Sequence, residues 1–373
     1  MAIFIRMWQK IHLYSLYTIF QLLNLISGVK MTTRNLVRLY LYFFLSIASC
    51  FGNDHLSHKR VGIITLKILK GDVEVAYRIK IAGERLGWTM IVDENEGEGI
   101  RNTSLDFSII TTHVAKPRFL SRNHPNYFII YCQKDFCKMN GDLENEYRDY
   151  DGYLLTIDKT DFSTFTSRKG NLIAPSIPFY PTAYATPYKP VSPLNLTYIV
   201  PTWGNRINRP SFRQLNKLLS KDGFTKFYGD FEFGRLYGEQ YVGPLPFNGQ
   251  SIIDTLQKNG IALVIHSDKH LTEKIPSGRI FEAAAASAII ICDQNPFVQK
   301  HFGDSIFYID TSLTGRAIFS QIKRHIQTIL ENPNKALEMA KKAHGIFLDN
   351  FTMEAQLLEL ELMHEKILEK LKN

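Results

Sequence analysis

Cysteine is scarce in this sequence and scattered: Cys50, Cys132, Cys137 and Cys292 are the only four among 373 residues. That excludes a disulfide-built scaffold, which needs a dense, paired set. Cys132 and Cys137 lie close enough to begin a zinc site, but no second Cys or His pair completes it, so no metal is expected. Cys292 sits in the apolar run Ala288-Ile-Ile-Ile-Cys292 and reads as a small buried hydrophobe. Acidic residues are missing altogether from positions 1–50, which carry Arg6, Lys10, Lys30, Arg34 and Arg38. Most of the formal net charge of +8 is therefore confined to that segment, and the remainder holds 39 basic against 36 acidic side chains. So even a balance argues against nucleic acid as a partner. Compositional bias is absent too. With 45% hydrophobic and 21% charged residues, the chain is neither disordered nor fibrous, and its length points to two domains.

Long apolar runs are confined to the first fifty residues. Ile11 to Ile26 is interrupted by His12, Gln21 and Asn24 and is short for a membrane span. Leu36 to Phe51 follows Arg34 and Arg38 and ends in Ser46-Ile-Ala-Ser-Cys50, the pattern of a signal peptide if translation starts at Met31. Ile47-Ala-Ser-Cys50 also resembles a bacterial lipoprotein box. An uncleaved anchor, with its basic residues on the cytoplasmic side, fits equally well. Residues 1–52 are thus expected to be a signal peptide or membrane anchor, making the protein membrane-associated or exported.

From Lys59 onward, short apolar runs alternate with helical stretches. Val61–Leu66, Thr89–Asp93, Phe107–Thr111, Tyr127–Tyr131 and Tyr153–Ile157 read as strands, with a helix over Val73–Leu86. Their hydrophobicity is continuous rather than alternating, as in strands covered on both faces of a parallel sheet. Six prolines between Pro175 and Pro193 predict an irregular linker. A second alternating series follows. Its predicted strands are Leu196–Val200, Phe224–Tyr228, Ala262–His266, Ala288–Asp293 and Ser305–Ile309, and its last three helices lie near 314–330, 333–348 and 352–371. The final helix gathers Leu357, Leu360, Met363, Ile367 and Leu371 on one apolar face. The fold expected is α/β, with two Rossmann-like, doubly wound domains facing a cleft over residues 59–190 and 196–350, and a C-terminal amphipathic helix over 351–373.

In such sheets ligands bind beyond the carboxyl ends of the strands. The loop Ser267–Gly278 leaves one of those ends and leads into a helix beginning Gly278-Arg-Ile-Phe-Glu282. A helix start offers free N–H groups and partial positive charge to a phosphate, Ser277 and Gly278 permit close approach, and Arg279 supplies a guanidinium suited to a diphosphate. Glu282, three residues on, could accept from ribose hydroxyls. The plain alternative is that Arg279 and Glu282 are a solvated pair on an ordinary amphipathic helix.

Pro276-Ser-Gly-Arg-Ile-Phe-Glu-Ala-Ala-Ala-Ala-Ser-Ala-Ile-Ile-Ile-Cys-Asp293 resembles the donor-site signature of GT-B glycosyltransferases, in particular the branch related to spore-maturation glycosyltransferases. That branch has an R-x-F-E-A-A-A-x-G-A run before a strand ending in Asp; Ser287 stands here where the run has Gly. Two further segments resemble the family. Thr202-Trp-Gly-Asn-Arg206 follows the first strand of the second unit, and Tyr241-Val-Gly-Pro-Leu-Pro-Phe247 is similar to the segment that cups the nucleotide base. The resemblance implies that Arg279, Arg206 and Gly204 lie near the donor diphosphate, Glu282 holds the ribose, and Leu245 and Pro246 line the base pocket. Glu273 lies nine positions before Glu282, one more than the paired-glutamate spacing of related retaining enzymes.

Sugar transfer needs the leaving diphosphate stabilised. Arginines and a helix start do this without a metal or cofactor, so metal-independent transfer from a nucleotide-sugar is expected, with Arg279 taking part. An inverting route also needs a general base, and His113, after the Phe107–Thr112 run, is the candidate; a partly buried loop histidine is its plain alternative. The expected partners are a nucleotide-sugar, a glycan, lipid or protein acceptor, and a membrane through residues 1–51. The rivals are a non-catalytic exported protein of the same fold and a sugar-nucleotide epimerase.

Overall fold

A computed structural model describes residues 58–112, 118–131, 150–159, 175–200, 209–230 and 234–372. The N-terminal hydrophobic segment, Cys132 and Cys137 lie outside them. Among the described residues no helix is long and apolar enough to cross a membrane.

The first unit comprises β1 (Arg60–Ile64), α1 (Lys70–Arg85), β2 (Thr89–Asp93), β3 (Phe107–Ile110), β4 (Asn126–Ile130), β5 (Gly152–Leu155) and β6 (Ser176–Pro178). All pair in parallel, in the order β2-β1-β3-β4-β5-β6. β3, β4 and β5 are buried at every residue, which is why their sequences run apolar without alternation. One expectation fails here. The proline-rich stretch is expected to be wholly irregular, yet Ser176-Ile-Pro178 forms the sixth strand. Tyr153 N–H donates to Pro175 O at 2.9 Å and Phe179 N–H to Leu155 O at 2.7 Å. Pro178 fits because β6 is the sheet edge, where a missing N–H costs no ladder bond. From 179 to 194, between β6 and the next strand, the chain has no helix or strand.

The second unit comprises β7 (Asn195–Ile199), α2 (Pro210–Leu219), β8 (Thr225–Tyr228), α3 (Gly234–Tyr237), β9 (Tyr241–Gly243), α4 (Ser251–Asn259), β10 (Gly260–Val264), α5 (Asp268–Glu273), α6 (Gly278–Ala285), β11 (Ile289–Asp293), α7 (Pro296–Phe302), β12 (Phe307–Ile309), α8 (Gly315–Glu331), α9 (Pro333–Asn350) and α10 (Met353–Lys372). Its sheet is again parallel, ordered β12-β11-β10-β7-β8-β9. Two elements were not foreseen. β9 extends the sheet at its edge, and α5 occupies half of the expected Ser267–Gly278 loop, started by Ser267, whose Oγ accepts from His270 N–H at 3.2 Å.

Each sheet has one point where the strand order reverses, between β1 and β3 in the first and between β7 and β10 in the second. Those are the positions where the fold places ligands. Continuous apolar packing joins the units. Phe281 of α6 lies 5.9 Å from Tyr180 and 5.2 Å from Phe351, ring centre to ring centre, and Tyr180 lies 5.3 Å from Phe297. Helix α10 belongs to the first unit by contact although it ends the chain: it packs on α1 and β6. Leu357 and Leu360 are fully buried, and Met363 and Ile367 nearly so, as the apolar face predicts.

Candidate functional site

The chain leaves β7 at Ile199 and β10 at Val264, on either side of the second sheet's reversal. From β7 it enters the Thr202–Arg206 segment, so Gly204 and Arg206 follow the carboxyl end of the right strand but lie outside the described residues. From β10 it runs through His266 and α5 to the start of α6. His266 is clamped: its backbone N–H donates to Asp293 Oδ2 at 2.6 Å and its ring Nδ1 lies 2.7 Å from Asp293 Oδ1. Asp293, the last residue of β11, thereby fixes the path of the loop between the two strands.

Helix α6 starts with Ser277 as its N-cap residue. Ser277 Oγ makes no cap bond and is a buried atom without a hydrogen-bond partner. Gly278 follows where no side chain fits: a Cβ there would stand 2.8 Å from Pro181 O and 3.4 Å from Arg78 Nη1. The start of α6 is thus seated against the first unit. Ala283, Ala284, Ala285 and Ala286 are fully buried, letting the helix lie close on the sheet as expected.

Arg279 and Glu282 do pair, but not as a solvated pair. Arg279 donates from Nη1 to Glu282 Oε2, and its side chain is one-third exposed while Glu282 is buried. The other carboxylate oxygen, Oε1, accepts from Nη2 of Arg78 on helix α1. Arg78 is itself buried and spends its remaining donors on Glu74 Oε1 at 3.4 Å and on the carbonyls of Pro181 and Thr182 at 3.4 and 3.3 Å. Glu74 Oε2 in turn accepts from Gly249 N–H at 3.0 Å. Four alternating charges, Glu74, Arg78, Glu282 and Arg279, therefore run from the first unit to the start of α6. Burial pushes the Glu282 carboxyl up, but the Arg279 and Arg78 guanidiniums more than reverse this and hold it below the ordinary carboxylate value. Burial raises Glu74, and Arg78 only partly offsets it.

Residues 212–361 match the model of a family described as glycosyl transferase-like. Among solved structures, the chain is similar to a glycosyltransferase from Rickettsia africae ESF-5, at 12% identity and a TM-score of 0.50 over 84% of this chain and 99% of that one. It is also similar to sucrose-phosphate synthase from Thermosynechococcus elongatus, at 10% identity and a TM-score of 0.50 over 84% of this chain and 100% of that one. At such identities these two speak for fold alone. No curated protein matches. Strand order and family match agree. The chain has the GT-B fold.

The remaining expected site residues of the GT-B protein are dispersed. Leu245 is half-buried against the core and Pro246 is exposed, in the connection between β9 and α4. Glu273 ends α5. His113 lies outside the described residues, three positions past the end of β3. The metal-free expectation also needs a qualification. Asp149-Tyr150-Asp151 has the Asp-x-Asp spacing associated with metal-dependent sugar transfer; Asp151 Oδ2 accepts from Asn126 N–H at 2.7 Å, and Asp149 lies outside the described residues. His266, Cys292 and Asp293 place donor atoms within 4.8 Å of one another. They are held by their own hydrogen bonds, and burial keeps the Cys292 thiol well above its ordinary value, which disfavours the thiolate a metal would need.

Sequence reasoning missed Arg78, Glu74 and His266. Arg78 and Glu74 look like the polar face of a surface helix, and their partner lies 204 positions away for Arg78 and Glu282. The pairing of His266 with Asp293 had a signal: His266 follows the end of β10 by two residues and Asp293 ends β11, its parallel neighbour.

Proposed function

We propose that this GT-B protein transfers a sugar from a nucleotide-sugar to an acceptor, with the donor held at the reversal between β7 and β10. The observation that carries the reading is Arg279, a partly exposed guanidinium at the start of α6, beside that reversal and within the segment that matches the family. When the sugar leaves, negative charge grows on the diphosphate. Arg279 and the first N–H groups of α6 stabilise it, and Arg206 with Gly204 approaches from the β7 side. Leu245 and Pro246 contact the base. Glu282 holds Arg279 in place; with both its oxygens taken by Arg78 and Arg279, it has none left for the ribose that the resemblance assigns to it. His113 is the proposed base for the acceptor hydroxyl. Residues 1–51 associate the enzyme with a membrane or direct its export, and the R-x-F-E-A-A-A run supports a relation to the spore-maturation-related branch.

The test is calorimetric titration of the purified chain with UDP, GDP and their sugars, beside an Arg279→Ala, Glu282→Ala double variant. One nucleotide should bind the wild type and lose its heat signal in the variant. A folded wild type that binds none of them overturns the donor site and favours a non-catalytic role.

A further inference from the structure

The proposed donor arginine does not stand alone: its carboxylate partner is gripped from behind by the other unit. Arg78 is 2% exposed, and its Nε and both Nη groups are all engaged, on Glu74, on two backbone carbonyls and on Glu282. Glu282 is 1% exposed and has one oxygen on Arg78 and the other on Arg279. Its carboxylate plane is therefore set by Arg78, and the direction of the Arg279 guanidinium is set by that plane.

Stability alone does not account for this arrangement. Fully buried ion pairs return little net stability, because desolvation cancels the attraction. Nor are the units short of other ties. Lys300 and His301 of α7 reach Asp158 at 2.9 and 2.7 Å, Lys70 pairs with Asp230, and the aromatic seam is apolar. What only the Arg78 pair does is touch the carboxylate that holds Arg279.

We propose that Arg78 is a positioning residue for the donor site, acting through Glu282 to hold Arg279 ready for a nucleoside diphosphate. This rests on the function proposed above. Arg78 contacts no donor; it fixes the group that fixes the group that does. A lysine cannot replace it, since one ammonium cannot serve Glu282 and the Pro181 and Thr182 carbonyls in the same fork geometry.

Calorimetric affinities of the full chain for UDP and GDP, each alone, test it in the wild type, Arg78→Met, Arg78→Lys, Glu282→Gln, the Arg78→Met, Glu282→Gln double variant and Asp158→Asn. Melting temperatures accompany each. For the nucleotide that binds the wild type, Arg78→Met should weaken affinity about tenfold, the step that roughly 1.4 kcal/mol represents. Arg78→Lys should fold and remain weakened, and Asp158→Asn should bind as the wild type does. In the Glu282→Gln background, Arg78→Met should cost no further affinity, because its route to Arg279 is already cut. Equal losses in both backgrounds, a similar loss in Asp158→Asn, or no loss at all would overturn the inference and leave Arg78 as a tie between units. If Arg78→Met does not fold, Arg78→Lys with and without Glu282→Gln carries the same comparison. Failure of the wild type to bind either nucleotide is a different outcome: it removes the donor site, and this inference falls with it.

Discussion

Ser287 shows how one residue can depart from a pattern and still fit. It follows α6 with φ of 56°, the left-handed region that favours glycine. Ala288 N–H donates to Ala283 O at 3.1 Å and Ser287 N–H to Ala284 O at 3.0 Å, a Schellman ending whose pivot is Ser287. Backbone strain there costs about 1 kcal/mol. The hydroxyl offsets it by accepting from Lys189 N–H at 3.2 Å, which ties the connection between the units to the helix end. Ser287→Gly should then change stability by less than about 0.5 kcal/mol, strain relief cancelling the lost bond. Ser287→Ala keeps the strain and loses the bond, and should cost about 1 kcal/mol. Urea denaturation of both variants checks this, and a Gly variant less stable than the Ala variant would contradict it. The glycine of the resembled run pointed to this position. The reason serine is tolerated was not legible, because Lys189 lies 98 residues away.

At the scale of elements, α10 is held against the first sheet by more than its apolar face. The Tyr127 hydroxyl of β4 is hydrogen-bonded to His364 Nδ1 at 2.8 Å, and both rings pack on Phe107. Burial, with the Lys59 charge adding to it, pushes His364 from its ordinary 6.5 down to about 4. Between those two values the unfolded chain binds the proton and the folded one does not, so stability must fall as pH drops from 6.5 towards 4. At pH 5 the loss attributable to His364 is about 2 kcal/mol relative to pH 7. Urea melts of the wild type and His364→Gln across that window should show a shallower pH dependence in the variant; parallel curves would reject the assignment. Strands and helices were largely legible because apolar runs and period record which faces are covered. β6 was not, because its proline is excluded from strands in general and permitted only by an edge position that topology alone reveals. Of the donor site, the start of α6 was legible from Ser277-Gly-Arg279; its support from α1 was not, since no local pattern marks Arg78.

For the whole molecule, the order of the chain and the order of support differ. Helix α10 is the last element, and the family match ends at residue 361, inside it, yet its partners are α1, β4 and β6 of the first unit. Gln356 extends the attachment, accepting from Tyr180 N–H at 2.5 Å and donating to Tyr180 O at 3.2 Å. Met353, Leu357, Leu360, Met363 and Ile367 are all buried. At roughly 1.5–3 kcal/mol for each such side chain, their contact is worth about 8–15 kcal/mol, as much as the whole stability of an ordinary domain. The core on the far face of the second sheet, around Leu196, Leu215, Ile261, Ile291 and Ile322, includes no residue of α10. A chain ending at Thr352 should therefore lose the first unit and keep much of the second. Hydrogen exchange is the direct measure: amides of α1, β1 and β4 should exchange freely in the truncated chain while those of β7, β10 and β11 stay protected. Equal protection in both sheets would mean that α10 is a passive cover. Protection lost everywhere would mean that the apolar seam at Phe281 and Phe351 makes the two units fold as one.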